Sequence, residues 1–188
     1  MEYVSLDAKS WGMAKKGIMM TNIWAVAATH RPDIDKMNRT LGLLKLPKSR
    51  VVVVANGENP PTKTEISDAT LLTYKDPVYN MPNWWNMGLE WISKRTKGKP
   101  YEVFVFGSDT MVSNAAVVKL AETLREYDLA ATSPDRWNTL PEGHVHVETR
   151  LEPQPNMAVR MTGYAFVLKG ELELRADPKF RSWYIDEI

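Results

Sequence analysis

Apolar residues follow two rhythms along this chain. Short unbroken runs, IWAVAATH at 23–30, RVVVVANGE at 50–58 and VFVF at 103–106, show no alternation and predict strands covered on both faces. Between them apolar residues recur at spacings of three and four. Ile34, Met37, Leu41 and Leu44 follow Pro32, while Asp33 and Asp35 suit the positive end of a helix. Trp85, Leu89 and Ile92 share one helical face within NWWNMGLEWISKR at 83–95, with Asn83 as the expected cap. Val117, Leu120, Ala121 and Leu124 trace a further helix after Ser113. ATLLTY at 69–74 and MTGYAFVLK at 161–169 read as additional strands, the second preceded by a Pro-rich, histidine-bearing stretch at 134–156.

Strands that alternate with helical patterns of this length predict an α/β fold with a mostly parallel central sheet flanked by helices. In such sheets ligands bind at the carboxyl ends of the strands. Thr29, His30, Asn56, Gly57, Ser108 and Asp109 all fall at such ends. Residues 1–21 carry no periodicity and read as an N-terminal extension of unassigned role, and 22–188 as one domain.

Composition removes several classes of function. The 188 residues include no cysteine, so disulfide frameworks, thiolate zinc sites and cysteine nucleophiles are excluded. The 24 basic and 23 acidic residues nearly cancel, and that balance lacks the basic excess of a nucleic-acid partner. No apolar run reaches the roughly 20 residues that span a bilayer, and no signal-peptide core is visible, so the expectation is a soluble, cytoplasmic protein with no membrane span. There is no GxxxxGK[ST] loop, no GxGxxG after the first strand and no GxSxG elbow.

The chemistry then centres on Asp109, a single acid at the end of an apolar strand. A buried carboxylate stays charged only with a partner. A hard cation shared with phosphate oxygens is one, because Mg²⁺ takes one or two protein carboxylates and fills its octahedron with phosphate and water. His144 and His146 alternate as on one strand face and are a second, weaker candidate for metal ligation.

Six stretches in order resemble the GT-A glycosyltransferases of the family 2 type. IWAVAATHRPDI resembles the opening strand and its loop, and VVVVANGEN the strand ending in Asp-Asn-Gly-Ser. NWWNMGLEWI is similar to the Asn-x-Gly helix, FVFGSDTMV to the Asp-x-Asp strand, MTGYAFVLKGE to the Thr-Gly strand, and DPKFRSWYIDEI to the segment leading to the catalytic acid. The resemblance implies a GT-A (Rossmann-like) domain acting as a metal-dependent, inverting glycosyltransferase on a nucleotide-diphosphate sugar. It makes Asp109 the ligand of Mn²⁺ or Mg²⁺ and Asp186 the general base. Thr29, His30, Arg31, Asn56, Gly57, Asn86, Ser108 and Asp109 become donor contacts, and Thr162 and Gly163 acceptor or sugar contacts.

Three positions depart from that pattern: Gly107 stands for the first Asp of the motif, Ala55 for an Asp near the nucleoside, and Glu58 for a Ser. Relatives also continue beyond the position matching Ile188, for which a partner subunit or homo-oligomer completing the acceptor site and a shortened chain are equally open expectations. These departures keep a second expectation open, a non-catalytic nucleotide-sugar-binding or assembly module of the same fold. Bland roles stand beside the sharp ones. Trp84 and Trp85 can pack the helix onto the sheet instead of stacking on a ligand, Asn86 and Gly88 can serve close helix packing, and Asp109 can cap the following helix.

Overall fold

A computed structural model describes residues 22–30, 34–74, 80–108, 110–132 and 165–176. In chain order the elements are β1 (Ile23–His30), α1 (Ile34–Leu44), β2 (Val51–Asn56), β3 (Thr70–Tyr74), α2 (Met81–Thr96), β4 (Glu102–Gly107), α3 (Asn114–Glu126), β5 (Ala131–Thr132) and β6 (Ala165–Lys169). The strands form one sheet in the order β3-β2-β1-β4-β6-β5. Strands β1 to β4 pair in parallel, and β6 pairs antiparallel with both β4 and β5. The sheet is therefore mostly parallel, as the alternating pattern predicts.

Both faces of the sheet are covered, which explains the unbroken apolar runs. Ala25, Ala27, Val51, Val53, Phe104 and Phe106 point to one core, where Met37, Leu41 and Leu44 of α1 meet Val117, Leu120 and Leu124 of α3. Their sequence neighbours Val26, Ala28, Val52, Val54, Val103 and Val105 point to the other core, against Trp84, Trp85, Leu89 and Ile92 of α2. A strand with helices on both sides has no wet face and so needs no polar alternation.

Helix α2 lies unusually close to the sheet. A Cβ added at Gly88 would stand 2.0 Å from Val26 Cγ2, so only glycine lets the helix backbone approach β1 this far. Both indoles are buried, Trp84 at 1% and Trp85 at 2% exposure, and Trp85 meets Phe166 edge to face at 5.5 Å. The packing reading of this tryptophan pair is the one observed. The cap differs from expectation: α2 begins two residues before Asn83, and Asn80 caps it by accepting the Asn83 N–H at 3.1 Å. Pro82 explains the shift, because proline fits the first turn of a helix, where its missing N–H costs nothing.

Candidate functional site

Strand register assembles the carboxyl edge of the sheet. His30 pairs with Asn56, and Asn56 with Tyr74, so three adjacent strands end in one row. On the other side of β1, Ala28 pairs with Gly107, which sets Thr29 beside the start of the loop after β4. Strands β2 and β3 lie to one side of β1 and β4 to the other, so the order reverses between β1 and β4. In open α/β sheets ligands bind at such a reversal, outside the carboxyl ends of the strands; here α1 and α3, which follow β1 and β4, both lie on one face of the sheet.

The residues at this edge differ in what they offer. Thr29, Asn56 and Ser108 are buried, at 0%, 4% and 5% exposure, and form a polar floor. Gly57 lies in the left-handed region at φ 117° with open space where a side chain would project. That leaves its backbone accessible to an approaching ligand, the usual value of glycine at such a turn. For His30 the strand backbone is described. Arg31, Asp109, Thr162, Gly163 and Asp186 lie outside the described residues, as do His144 and His146.

The chain on either side of Asp109 is tightly held. Thr110 N donates to Gly107 O at 3.2 Å, and Thr40 of α1, fully buried, donates its hydroxyl to Thr110 O at 2.6 Å. Ser113, not the acid, caps α3 by accepting the Ala116 N–H at 3.2 Å. Thr40 was legible only as an anomaly, a hydroxyl on the helix face that otherwise shows Met37, Leu41 and Leu44. Its partner lies 70 residues away.

Asn86 has partners that the sequence did not suggest. Its Nδ2 donates to Ala176 O at 2.8 Å, and its Oδ1 accepts the Ala176 N–H at 2.9 Å. Both ends of the amide thus grip one residue of the chain after β6.

The donor set near Asp109 suits a hard cation in kind, because a carboxylate flanked by the hydroxyl residues Ser108 and Thr110 offers only oxygen. Among the described residues no three His, Cys, Asp or Glu side chains come together as a metal cage. Also among them, no helix is long and apolar enough to cross a membrane. A cavity of about 360 Å³ opens at the opposite, amino end of the sheet, lined by Asn22, Glu102, Arg125, Asp128, Lys169 and Glu171. Its charges are paired among themselves: Arg125 grips Glu102, and Lys169 bonds Asp128. That end is structural in character.

No family of known sequences matches the chain, and no curated protein is similar to it in sequence. Solved structures do share its fold. S. aureus TarS 1-349 superposes with a TM-score of 0.54 at 11% identity, over 87% of this chain and 52% of that one. The same protein in complex with UDP gives 0.52 at 12% identity, over 87% and 52%. A cytidylyltransferase from Leptospira borgpetersenii serovar Hardjo-bovis gives 0.51 at 11% identity, over 88% and 71%. The chain spans about half the length of the TarS structures. The strand order, the helices on both faces and these likenesses agree on the fold: the chain has a GT-A-like, mostly parallel α/β fold.

Proposed function

We propose that this chain is a metal-dependent, inverting glycosyltransferase that moves a sugar from a nucleoside-diphosphate donor to an acceptor hydroxyl. One observation carries the reading: the register that sets Ala28 against Gly107 at the point of strand reversal, two residues before Asp109. Support for a nucleoside diphosphate as ligand class comes from TarS 1-349, which shares the fold and has been crystallised in complex with UDP.

In this reading Thr29, His30, Arg31, Asn56, Gly57 and Ser108 bind the donor. Asp109 would hold Mn²⁺ or Mg²⁺, which when bound supplies Lewis-acid stabilisation of the leaving diphosphate. Asp186 takes the proton from the acceptor hydroxyl as it attacks the anomeric carbon from the side opposite the diphosphate, which inverts that centre. A positioned base contributes roughly 10² to 10⁴ in rate. Thr162 and Gly163 line the acceptor side.

The test is a thermal-shift panel of UDP-, GDP-, dTDP- and CDP-linked sugars with and without Mn²⁺. A ligand at 100 times its dissociation constant adds about 2.7 kcal/mol of stability. One nucleotide class should stabilise the chain in a metal-dependent way, and Asp109→Ala should abolish the metal dependence. Equal stabilisation in the presence of a chelator counts against the metal role. The likeness to a cytidylyltransferase favours one rival, a nucleotidyltransferase, which would release pyrophosphate from a nucleoside triphosphate. Pyrophosphate release from CTP, without sugar transfer, would select that reading.

A further inference from the structure

The two edges of the sheet differ in length and in cover. Strand β5 forms one edge with only two residues, Ala131–Thr132. Strand β3 forms the other with five, and its outer side carries the N–H and C=O groups that pairing with β2 leaves over. Among the described residues no strand pairs with that side. Burial changes abruptly there. All six residues of β2 are buried, whereas Thr70, Leu71, Leu72 and Tyr74 are half-buried and Thr73 is exposed.

Native proteins protect such an edge with a charged side chain, a proline or a bulge. TLLTY contains no charge and no proline, and its register with β2 runs unbroken from Thr70 to Tyr74. Each face of the strand also carries a leucine of incomplete burial. Leu71 packs at the rim of the core beneath α1 and α3, and Leu72 at the rim of the core beneath α2. A strand laid along this edge would pair the leftover backbone groups and cover both leucines.

The sequence of β3 suits a second copy of itself. A two-fold axis perpendicular to the sheet makes the copies antiparallel and keeps each face on its own side, so only residues of the same face stand opposite each other. With the axis at Leu72 all five residues are paired: Leu72 with its own counterpart, Leu71 with the partner's Thr73, and Thr70 with the partner's Tyr74. These pairs join aliphatic, β-branched and aromatic side chains, and none opposes like charges. We propose that β3 is the interface of a homodimer in which two copies of this chain pair antiparallel about Leu72 and form one continuous sheet. The contact is isologous and uses up the long edge of both copies, so assembly closes at two. The strand reversal between β1 and β4 lies further in, beyond β2, and the carboxyl edges of the two copies point in opposite directions, so pairing at β3 covers neither candidate site. The dimer does not depend on the transferase reading.

The chain has no cysteine, so an introduced one reports its own neighbours. Opposed residues of an antiparallel pair have Cβ atoms about 4.5–5.5 Å apart, near the span of a disulfide. Mild oxidation of full-length Leu72→Cys should give a disulfide-linked dimer about tenfold faster than Leu43→Cys, which is exposed on α1. Thr70→Cys and Tyr74→Cys should each stay unlinked alone and link when mixed, which tests the register and keeps the test valid should Leu72→Cys fold poorly. Sedimentation of wild type should show a monomer–dimer equilibrium without larger species. Thr73→Lys, at a position exposed in the single chain, should raise the dissociation constant about tenfold with Tm unchanged. A wild-type chain that sediments as a monomer at every concentration overturns the proposal. So does a dimer that Thr73→Lys leaves intact, or crosslinking no faster at 70, 72 and 74 than at 43, because association then runs through another surface.

Discussion

Two helical glycines allow the packing of α2 to be tested against an internal control. Replacing glycine by alanine inside a helix gains about 1 kcal/mol from propensity alone. At Gly42 in α1 nothing lies within 4 Å of the added Cβ, so that gain should appear whole. At Gly88 the same methyl would stand 2.0 Å from Val26 Cγ2, 3.3 Å from Val26 Cβ and 3.4 Å from Val54 Cγ2. Ordinary carbon contacts are about 3.5 to 4.0 Å, so the shortest is deficient by about 1.5 Å or more. Val26 cannot easily yield. It is fully buried, β-branched and flanked by β2 and β4, so relief requires α2 to back away with Trp84, Trp85, Leu89 and Ile92. Overpacking of this kind costs about 1–3 kcal/mol, sometimes more. Taking about 3 for so short a contact and subtracting the propensity gain leaves a net loss of about 2 kcal/mol. For a chain of this size 1 kcal/mol moves Tm by about 2–4 °C. Calorimetric melts should therefore show Gly42→Ala about 2–4 °C above wild type and Gly88→Ala about 4–8 °C below it. A Gly88→Ala protein as stable as the Gly42→Ala protein would refute the close approach of α2 to β1.

Three further outcomes follow from described contacts. Thr40→Val should cost about 1–3 kcal/mol by leaving the buried Thr110 carbonyl without its hydroxyl donor, and, if the proposed function holds, should weaken Mn²⁺-dependent nucleotide binding in calorimetry. Thr40→Ser should restore both, and a Thr40→Val protein with wild-type Tm and binding would count against that link. Glu102→Ala should destabilise by about 1–3 kcal/mol in urea titrations, less than the ~3–5 for breaking a fully buried pair, because the Arg125 side chain is 29% exposed. An unchanged urea midpoint would show that the pair contributes nothing. The hydrogen bond from Lys169 holds the Asp128 carboxyl below the usual carboxylate value. Its contribution is complete above about pH 4 and is lost as pH falls through the lower folded value. Asp128→Asn should therefore flatten the acid limb of a Tm-against-pH curve, and an unaltered limb would contradict that assignment.

Sequence periodicity was enough to read the elements and the layering, because burial imposes a period on each segment by itself. Four valines without alternation mean a strand covered on both faces whatever its neighbours are. A stripe at 34, 37, 41 and 44 means one buried helical face. The polar strand ends were readable for the same reason, since Thr29, Asn56 and Ser108 stand where apolar runs stop. Local pattern failed where two remote segments had to meet. Strand order, the antiparallel sense of β6, the Thr40–Thr110 bond across 70 residues and the Asn86–Ala176 grip across 90 leave no periodic trace. Even the α2 cap went to Asn80, because the proline at 82 set where the first turn could begin. A hydrogen bond between distant residues depends on where the folded chain brings them, and only the assembled sheet with α1 and α2 laid on its two faces supplies that position.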